Sequence, residues 1–349
     1  MSRTAGIGPL SGVGGLLPDR HRQADFFSCD IFDAIPKDDI ASMEHPLFSL
    51  ATRPDRRILN YEHNGTEITV TPSVRGLATI HDKDILIFCI SQLMAALNAG
   101  RKISRRVHLK AHDLLIATNR ETSGDAYRRL RESFERLAGT RITTNITTGG
   151  EEVTSGFGLI EKWEIVRKAP SSKKGPGRMV NVAVTLSDWL FRAVLSKSVL
   201  TLSRDYFRLR KPLERRIYEL SRKHCGRQAS WTISVETLLK KSGSASPRRV
   251  FRKMLRDMIA AQPLPDYTLE EQPGDLIHFS QKHVLVDRPG VRPPSLRPET
   301  LEQARELLPG ADVYALEADW RGMWARSGSP RLRSPDAAFL GWVKKRAEG

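Results

Sequence analysis

The chain has 349 residues, with 56 Lys and Arg against 40 Asp and Glu, and its formal net charge is +16. Such an excess of positive charge is typical of proteins that bind polyanions, because each neutralised phosphate releases a condensed counterion. A hydrophobic fraction of 40% excludes a chain that is disordered throughout. The most apolar run, residues 85–97, is shorter than the ~20 residues that span a bilayer, and three scattered cysteines form no disulfide framework. We therefore expect a cytoplasmic protein of two or three domains without a membrane partner.

Residues 1–22 are rich in glycine and lack an apolar stretch, which predicts a flexible leader. Beyond it, alternating residues predict a strand over 68–71, and apolar residues at three- and four-residue spacing predict a helix over 84–98. The next predicted elements are a strand (106–110), a helix (111–118), a turn (119–123), a helix (126–138) and a hairpin (141–147 and 157–166) around Gly149 and Gly150. This order is typical of a winged helix-turn-helix domain.

The same order returns further along the chain. Helices are predicted over 187–197 and 203–225 and are followed by a strand (231–234), a helix (235–241), a turn (242–245), a longer helix from Ser246 to about 261 and two strands (267–271 and 276–280). A shift of 124 residues places Leu114 and Leu115 on Leu238 and Leu239 without a gap. We interpret this agreement as a structural duplication.

The predicted fold class is α+β, mainly α, with two winged-helix domains in tandem and a small helical region at the C-terminal end. Basic segments rich in proline, glycine or serine set the predicted boundaries. The predicted segments are a leader (1–22), an N-terminal winged-helix domain (23–168), a basic linker (169–177), a C-terminal winged-helix DNA-binding domain (178–287), a Pro/Arg linker (288–297) and a helical tail (298–349).

The helix that begins after Ser246 has the strongest signal for binding duplex DNA. One face is apolar, and the other carries five cations with Asp257 as the only nearby acid. On a solvated helix, charged residues are usually paired with opposite charges one turn away. On this face the positive side chains repel one another unless phosphates neutralise them. Arginine also binds guanine through two hydrogen bonds. The predicted DNA-reading residues of this recognition helix are Arg248, Arg249, Arg252, Lys253 and Arg256.

Other candidates for DNA contacts have weaker signals. The predicted helix over 126–138 has the position of a recognition helix in the first domain. Its exposed face carries charges of both signs, because Glu132 and Glu135 accompany its arginines. Hydroxyl groups in the predicted wing and cations in the basic linker or in the helix over 203–225 suit phosphate contacts. The candidates are Arg128, Arg129 and Arg136 on the helix, Thr143 and Thr144 in the wing, Lys173 and Lys174 in the linker, and Arg215 and Arg216 in the later helix.

Several long strings in the sequence resemble one known family, the plasmid replication initiator protein A of proteobacteria. They are ASMEHPLFSL (41–50), YEHNG (61–65), VTPSV (70–74), GLATI (76–80), DKDILI (82–87) and ATNR (117–120), with a similar tail at 337–342. The resemblance implies binding to repeated double-stranded sites, or iterons, at a plasmid origin, opening of the duplex, and recruitment of a host replication initiator or helicase. It also implies repression of the initiator's own promoter and a switch between dimer and monomer.

Motifs for enzymatic chemistry are missing from the sequence. A rolling-circle nickase needs a His-x-His metal pair, and an ATP-driven initiator needs a phosphate loop that contains Gly-Lys; neither is present. We therefore predict a protein that is not an enzyme and that uses no metal or other cofactor. Two alternatives to an initiator remain open at this point. One is a winged-helix transcriptional repressor, and the other is an interaction hub with a tryptophan face made of Trp320, Trp324 and Trp342.

Overall fold

The computed structural model describes residues 16, 20, 36–63, 65–98, 100–145, 155–168, 178–225, 228–282, 294–308, 311–326, 332 and 334–348. The strands are β1 (Lys37–Asp39), β2 (Leu59–His63), β3 (Thr66–Thr71), β4 (Arg106–Lys110), β5 (Arg141–Thr144), β6 (Ser155–Gly158), β7 (Ile160–Lys168), β8 (Arg178–Leu186), β9 (Val199–Thr201), β10 (Ser230–Ser234), β11 (Tyr267–Gln272) and β12 (Leu276–Gln281). The helices are α1 (Ile40–Glu44), α2 (Lys83–Asn98), α3 (Ala111–Ala117), α4 (Gly124–Gly139), α5 (Asp188–Leu195), α6 (Pro212–His224), α7 (Val235–Ser242), α8 (Arg248–Ala261), α9 (Pro298–Leu307), α10 (Val313–Arg326) and α11 (Pro335–Glu348).

Two units of the chain share one element order and one strand order. The first unit is α2–β4–α3–α4–β7–β8, with β5 and β6 inserted between α4 and β7, and the second is α6–β10–α7–α8–β11–β12. Each has a three-stranded antiparallel sheet in which the last strand lies in the middle, in the orders β4-β8-β7 and β10-β12-β11. The strands β4 and β10, the helices α3 and α7, and the helices α4 and α8 all begin 124 residues apart. The spacing predicted from the sequence is thus the spacing of the two units.

The hairpin predicted over 141–147 and 157–166 is right only in part: residues 157 and 158 pair with β5, but β7 does not continue the strand that pairs with β5. The strand β5 pairs with β6 and with β3, and these strands form a separate four-stranded sheet in the order β2-β3-β5-β6. After Gly158 the chain passes to β7, whose partner is β8. The residue types of a strand do not indicate which other strand it pairs with, and nearness in the sequence alone predicts the wrong partner for β7.

The predicted domain boundary at residue 178 also separates strands that pair with each other. The strand β8 lies between β4 and β7, with Val184 opposite both Val107 and Trp163. It therefore completes the sheet of the first unit. The predicted helix over 203–225 is a 3₁₀ helix (Arg204–Arg208) followed by α6. Pro212 causes the break, because proline disfavours helical backbone in the residue before it and suits the first turn of a new helix.

One continuous core joins the two units, whereas the tail has a core of its own. The main core runs from Met43 to Phe279 and includes most of α2. Gly243 packs the α7–α8 turn against the N-terminal segment: its φ is +69°, and a Cβ there would lie 2.5 Å from Pro46 Cβ. In the tail, α9, α10 and α11 enclose Trp320, Phe339 and Val343. Within the described ranges no helix combines the length and apolar character needed to cross a membrane.

Candidate nucleic-acid interface

Helix α8 has a buried face and a cationic face, as its sequence predicts. Phe251, Leu255 and Met258 form the buried face of the helix. Arg249 and Lys253 lie one turn apart on the exposed side. Neither has a carboxylate within ion-pair distance among the residues described by the structure. This pair therefore carries uncompensated positive charge.

The other three cations of α8 are held by the neighbouring hairpin. Arg248 and Arg252, one turn apart, both contact Asp275 in the turn between β11 and β12. Arg256 donates to Glu271 of β11 through two hydrogen bonds of 2.8 and 3.0 Å. These contacts lower the pKa of Asp275 and of Glu271 below their ordinary values, with the arginine hydrogen bonds as the largest cause. The hairpin thus neutralises one edge of the cationic face.

Asp275→Asn is expected to tighten binding to duplex DNA several-fold. Asp275 has a φ of +64°, a conformation that asparagine adopts as readily as aspartate. The substitution keeps the turn but removes the charge that holds Arg248 and Arg252. Each arginine that then reaches a phosphate should steepen the salt dependence by about 0.9 in log–log slope. A salt titration measures both effects; equal or weaker binding would contradict the prediction. Glu302→Gln, which removes an exposed carboxylate paired with Arg305 in the tail, is the control.

Helix α4 of the first unit differs from α8, because its exposed arginines are neutralised within the helix. Arg128 contacts Asp125 and lies 2.9 Å from Glu132. Arg129 lies 3.0 Å from Asp125, and Arg131 lies 3.2 Å from Glu135. The mixed charge predicted for this helix is therefore arranged as pairs along one surface. Solvent and salt screen such exposed pairs, so phosphates can still compete for the arginines.

Arg136 is not on the open surface of α4. It donates from Nε and Nη2 to the two carboxylate oxygens of Asp82, both at 2.7 Å. Burial alone would raise the pKa of Asp82, but the hydrogen bonds and the charge of Arg136 lower it. Arg136 therefore anchors α4 to the start of α2, and its prediction as a DNA contact is wrong.

The predicted wing residues lie in the four-stranded sheet. Thr143 is exposed on β5 opposite Thr69, while Thr144 is 6% exposed. Successive side chains of a strand point to opposite faces of the sheet, so Thr144 lies on the buried face and its prediction as a phosphate contact is wrong. Lys173 and Lys174 lie outside the described residues.

Arg215 and Arg216 are buried at the junction of the two units, so their prediction as phosphate contacts is wrong. Each is 3% exposed. Arg215 lies 2.5 Å from Asp84 of α2 and donates to the Leu209 carbonyl. Arg216 lies 3.4 Å from Glu219. We call the set Asp38, Lys83, Asp84, Arg215, Arg216 and Glu219 the buried ionic network.

The buried ionic network holds the first unit against the second. Lys83 of α2 lies 2.6 Å from Asp38 and 3.0 Å from Glu219 of α6. Burial would lower the pKa of Lys83, but these carboxylates raise it, so Lys83 is a cation. Arg216 also donates to the carbonyls of Met43 and Lys241, which lie in α1 and α7. The buried charged side chains of α6 therefore join α1, α2 and α7 and are not available on the surface of the protein.

Sequence reasoning missed a second group of exposed cations in the loop 51–58. Arg53, Arg56 and Arg57 all lie on the surface there. Three arginines within five positions were the available signal, and the loop lies beside α8 only through the tertiary structure.

Two solved structures of RctB domains 2 and 3 resemble the fold at low sequence identity. One has a TM-score of 0.49 and 14% identity, and covers 69% of this chain and 96% of that chain. The other has a TM-score of 0.45 and 13% identity, and covers 67% and 93%, respectively.

One relative and one family model match the sequence over most of its length. A protein of Wigglesworthia glossinidia brevipalpis, named "Putative replication protein", is 38% identical over 260 residues, which is 74% of this chain and 93% of that protein. The family model of replication initiator protein A matches residues 37–269, a range that contains both units as far as β11. The resemblance in the sequence is thereby confirmed, and the chain belongs to the replication initiator protein A family.

Proposed function

We propose that this protein is a plasmid replication initiator that binds repeated double-stranded sites at the origin, helps to open the duplex and recruits host replication proteins. The single observation that carries the proposal is the uncompensated pair Arg249 and Lys253 on α8. A rigid helix that presents free cations on one face suits the major groove of duplex DNA. Membership of the initiator family supports origin DNA as the target, and we place the protein on plasmid DNA in the cytoplasm.

Each unit is proposed to act as a winged helix. In both, a helix precedes the strand–helix–helix segment, and the last two strands form a hairpin beside the second helix. The helices α4 and α8 would then enter major grooves about one turn apart, roughly 34–36 Å. The charge pairs of α4 favour a smaller share of the affinity for the first unit, or a contact with a second copy in a dimer.

The proposal predicts specific binding without any change of a covalent bond. The pure protein should protect about two turns of duplex on a fragment that carries origin repeats, and it should bind scrambled DNA of the same length more weakly at matched salt. Footprinting and salt titration measure both. Protection confined to one turn, or equal affinity for both DNAs, contradicts the proposal. Covalent protein–DNA adducts or metal-dependent nicking would show that the protein is an enzyme.

A winged-helix repressor remains the second candidate, because it would bind DNA with the same surface. The two functions separate in a plasmid maintenance assay: an initiator supplied in trans should maintain a plasmid that carries only the repeats, and a repressor should not. The interaction hub has less support, since Trp320 and Trp324 are 2% and 6% exposed and belong to the interior of the tail.

A further inference from the structure

The loop 51–58, which we call the arginine loop, lies on the surface of the N-terminal half of the chain. It joins the β-bridge residue Ser49 to β2. Arg53, Arg56 and Arg57 are exposed, and the loop's one acid, Asp55, is buried. The loop therefore directs its negative charge inward and keeps its positive charge on the surface.

Asp55 fixes the loop in place. Its carboxylate accepts hydrogen bonds from Ser49 Oγ at 2.9 Å and from Arg57 Nη2 at 2.7 Å, and its carbonyl accepts from the Leu77 amide at 2.7 Å. The hydrogen bonds from Arg57 are the main cause that lowers the pKa of Asp55 to about 2, so the anchor is ionised at neutral pH. Gly76 has a φ of +95°, and a Cβ there would lie 2.9 Å from Asp55 O. The backbone of Asp55 is thus held by the hydrogen bond from Leu77 and by the close approach of Gly76.

Arg57 is occupied by the anchor, whereas Arg53 and Arg56 are not. In the described part of the chain neither has a carboxylate within ion-pair distance. The loop therefore has two exposed positive charges without an ion-pair partner among the described residues, and a polyanion can neutralise them.

The arginine loop faces α8. A cavity of about 630 Å³ separates them, lined by Ala51, Asp55 and Arg57 on the loop side and by Met254, Asp257 and Met258 on the helix side. Asp257 lies one turn after Lys253. The loop therefore borders the edge of α8 next to the uncompensated pair, and the β11–β12 hairpin borders the opposite edge through Arg252 and Arg256.

The two segments that flank α8 differ in charge. A helix in a major groove about 12 Å wide has a row of phosphates on each side. On the hairpin side the turn residues 272–275 include no Lys or Arg, and Asp275 and Glu271 are acids. On the loop side, Asp257 of α8 lines the cavity, and the loop itself carries Arg53 and Arg56 on its surface without an ion-pair partner among the described residues. A phosphate row can therefore be neutralised by the loop but not by the hairpin turn.

We infer that the arginine loop is a phosphate-binding element which completes the DNA interface of α8, with Arg53 and Arg56 as its contacts and the duplex backbone beside the recognised groove as its ligand. The inference rests on the proposed function. It makes the interface composite, because the loop precedes the first unit in the chain while α8 belongs to the second. Phosphate contacts fix the position of a protein on DNA and carry no sequence information.

The test is a salt titration of the full chain on the repeat-containing fragment and on scrambled DNA. Arg53→Ala with Arg56→Ala should lower the log–log salt slope by roughly 1.8, from two lost contacts of about 0.9 each, and should weaken binding about tenfold at 0.1 M salt on both DNAs. Arg53→Lys with Arg56→Lys should keep the wild-type slope. Lys344→Ala with Lys345→Ala, exposed on α11, is the matched control for the change of two charges and should leave the slope unaltered.

The outcomes separate the inference from the proposed function. If the loop variant keeps the wild-type slope while Arg249→Ala with Lys253→Ala weakens binding, the loop is not a contact and the proposed function stands. A loss as large in the Lys344 and Lys345 control would also overturn the inference, since any two charges would then serve. If neither the loop variant nor the α8 variant changes binding, the proposed DNA interface itself is wrong.

Discussion

Replacing Arg249 and Lys253 together by alanine is expected to weaken binding of the repeat-containing fragment by about 30-fold or more. Each side chain that reads a base contributes roughly 1–3 kcal/mol, and every 1.4 kcal/mol is about a tenfold change in affinity. Both residues are exposed and unpaired within the described structure, so their removal should change the free energy of unfolding by less than about 0.5 kcal/mol. Binding and folding should therefore respond separately.

The manner of the loss identifies what each residue contacts. A residue that reads a base should relax the preference at one base pair, while a residue that touches only phosphate should lower the salt slope by about one unit and leave the preference intact. Arg128→Ala with Arg129→Ala is the matched pair on α4 and should have a smaller effect, because Asp125 and Glu132 already neutralise these arginines. Should the triple substitution of Arg249, Arg252 and Lys253 leave both affinity and specificity unchanged, α8 is not a recognition helix.

Replacing Arg216 by methionine should have the opposite result, with a loss of about 3–5 kcal/mol in the free energy of unfolding and no change in salt slope. Methionine fills much of the volume but leaves Glu219 with less positive charge nearby. It also leaves four backbone carbonyls without their donor, and these are the carbonyls of Ser42, Met43, Glu44 and Lys241. Buried acceptors that lose a hydrogen bond keep the cost of their desolvation.

Denaturant unfolding of the variant measures this loss, and Glu132→Gln provides the comparison. Glu132 forms an exposed, solvent-screened pair with Arg128, so its substitution should change the free energy of unfolding far less than Arg216→Met does. The salt slope is measured under conditions where the variant is folded. A small stability loss together with a slope lowered by one unit would mean that Arg216 contacts phosphate, as the sequence first indicated.

The helices and most strands follow from local patterns in the sequence. The elements β4, α3, α4, β10, α7 and α8 all lie within two residues of their predicted bounds. Their apolar residues recur at the helical or strand period, and turn residues separate them. The repeat at 124 residues depends on the same patterns and could also be found from sequence alone. The cationic face of α8 was predicted for the same reason, since a helix projects residues three and four apart to one side.

The partners of each element were not available from sequence. The strands β5 and β7 both alternate as strands do, but only long-range pairing assigns them to different sheets. The same limit applies to the arginine loop, whose sequence shows its charge but not that it lies beside α8.

The sequence by itself determined the family, the repeated element order and the helix that carries five cations on one face. The tertiary structure decided which charges reach solvent. Arg215 and Arg216 belong to the segment 203–227, whose nine Lys and Arg are typical of a solvated surface. They are nevertheless 3% exposed, because α6 is enclosed by α1, α2 and α7. A cation can be buried where carboxylates and carbonyls from distant segments converge on it, and that convergence exists only in the folded chain.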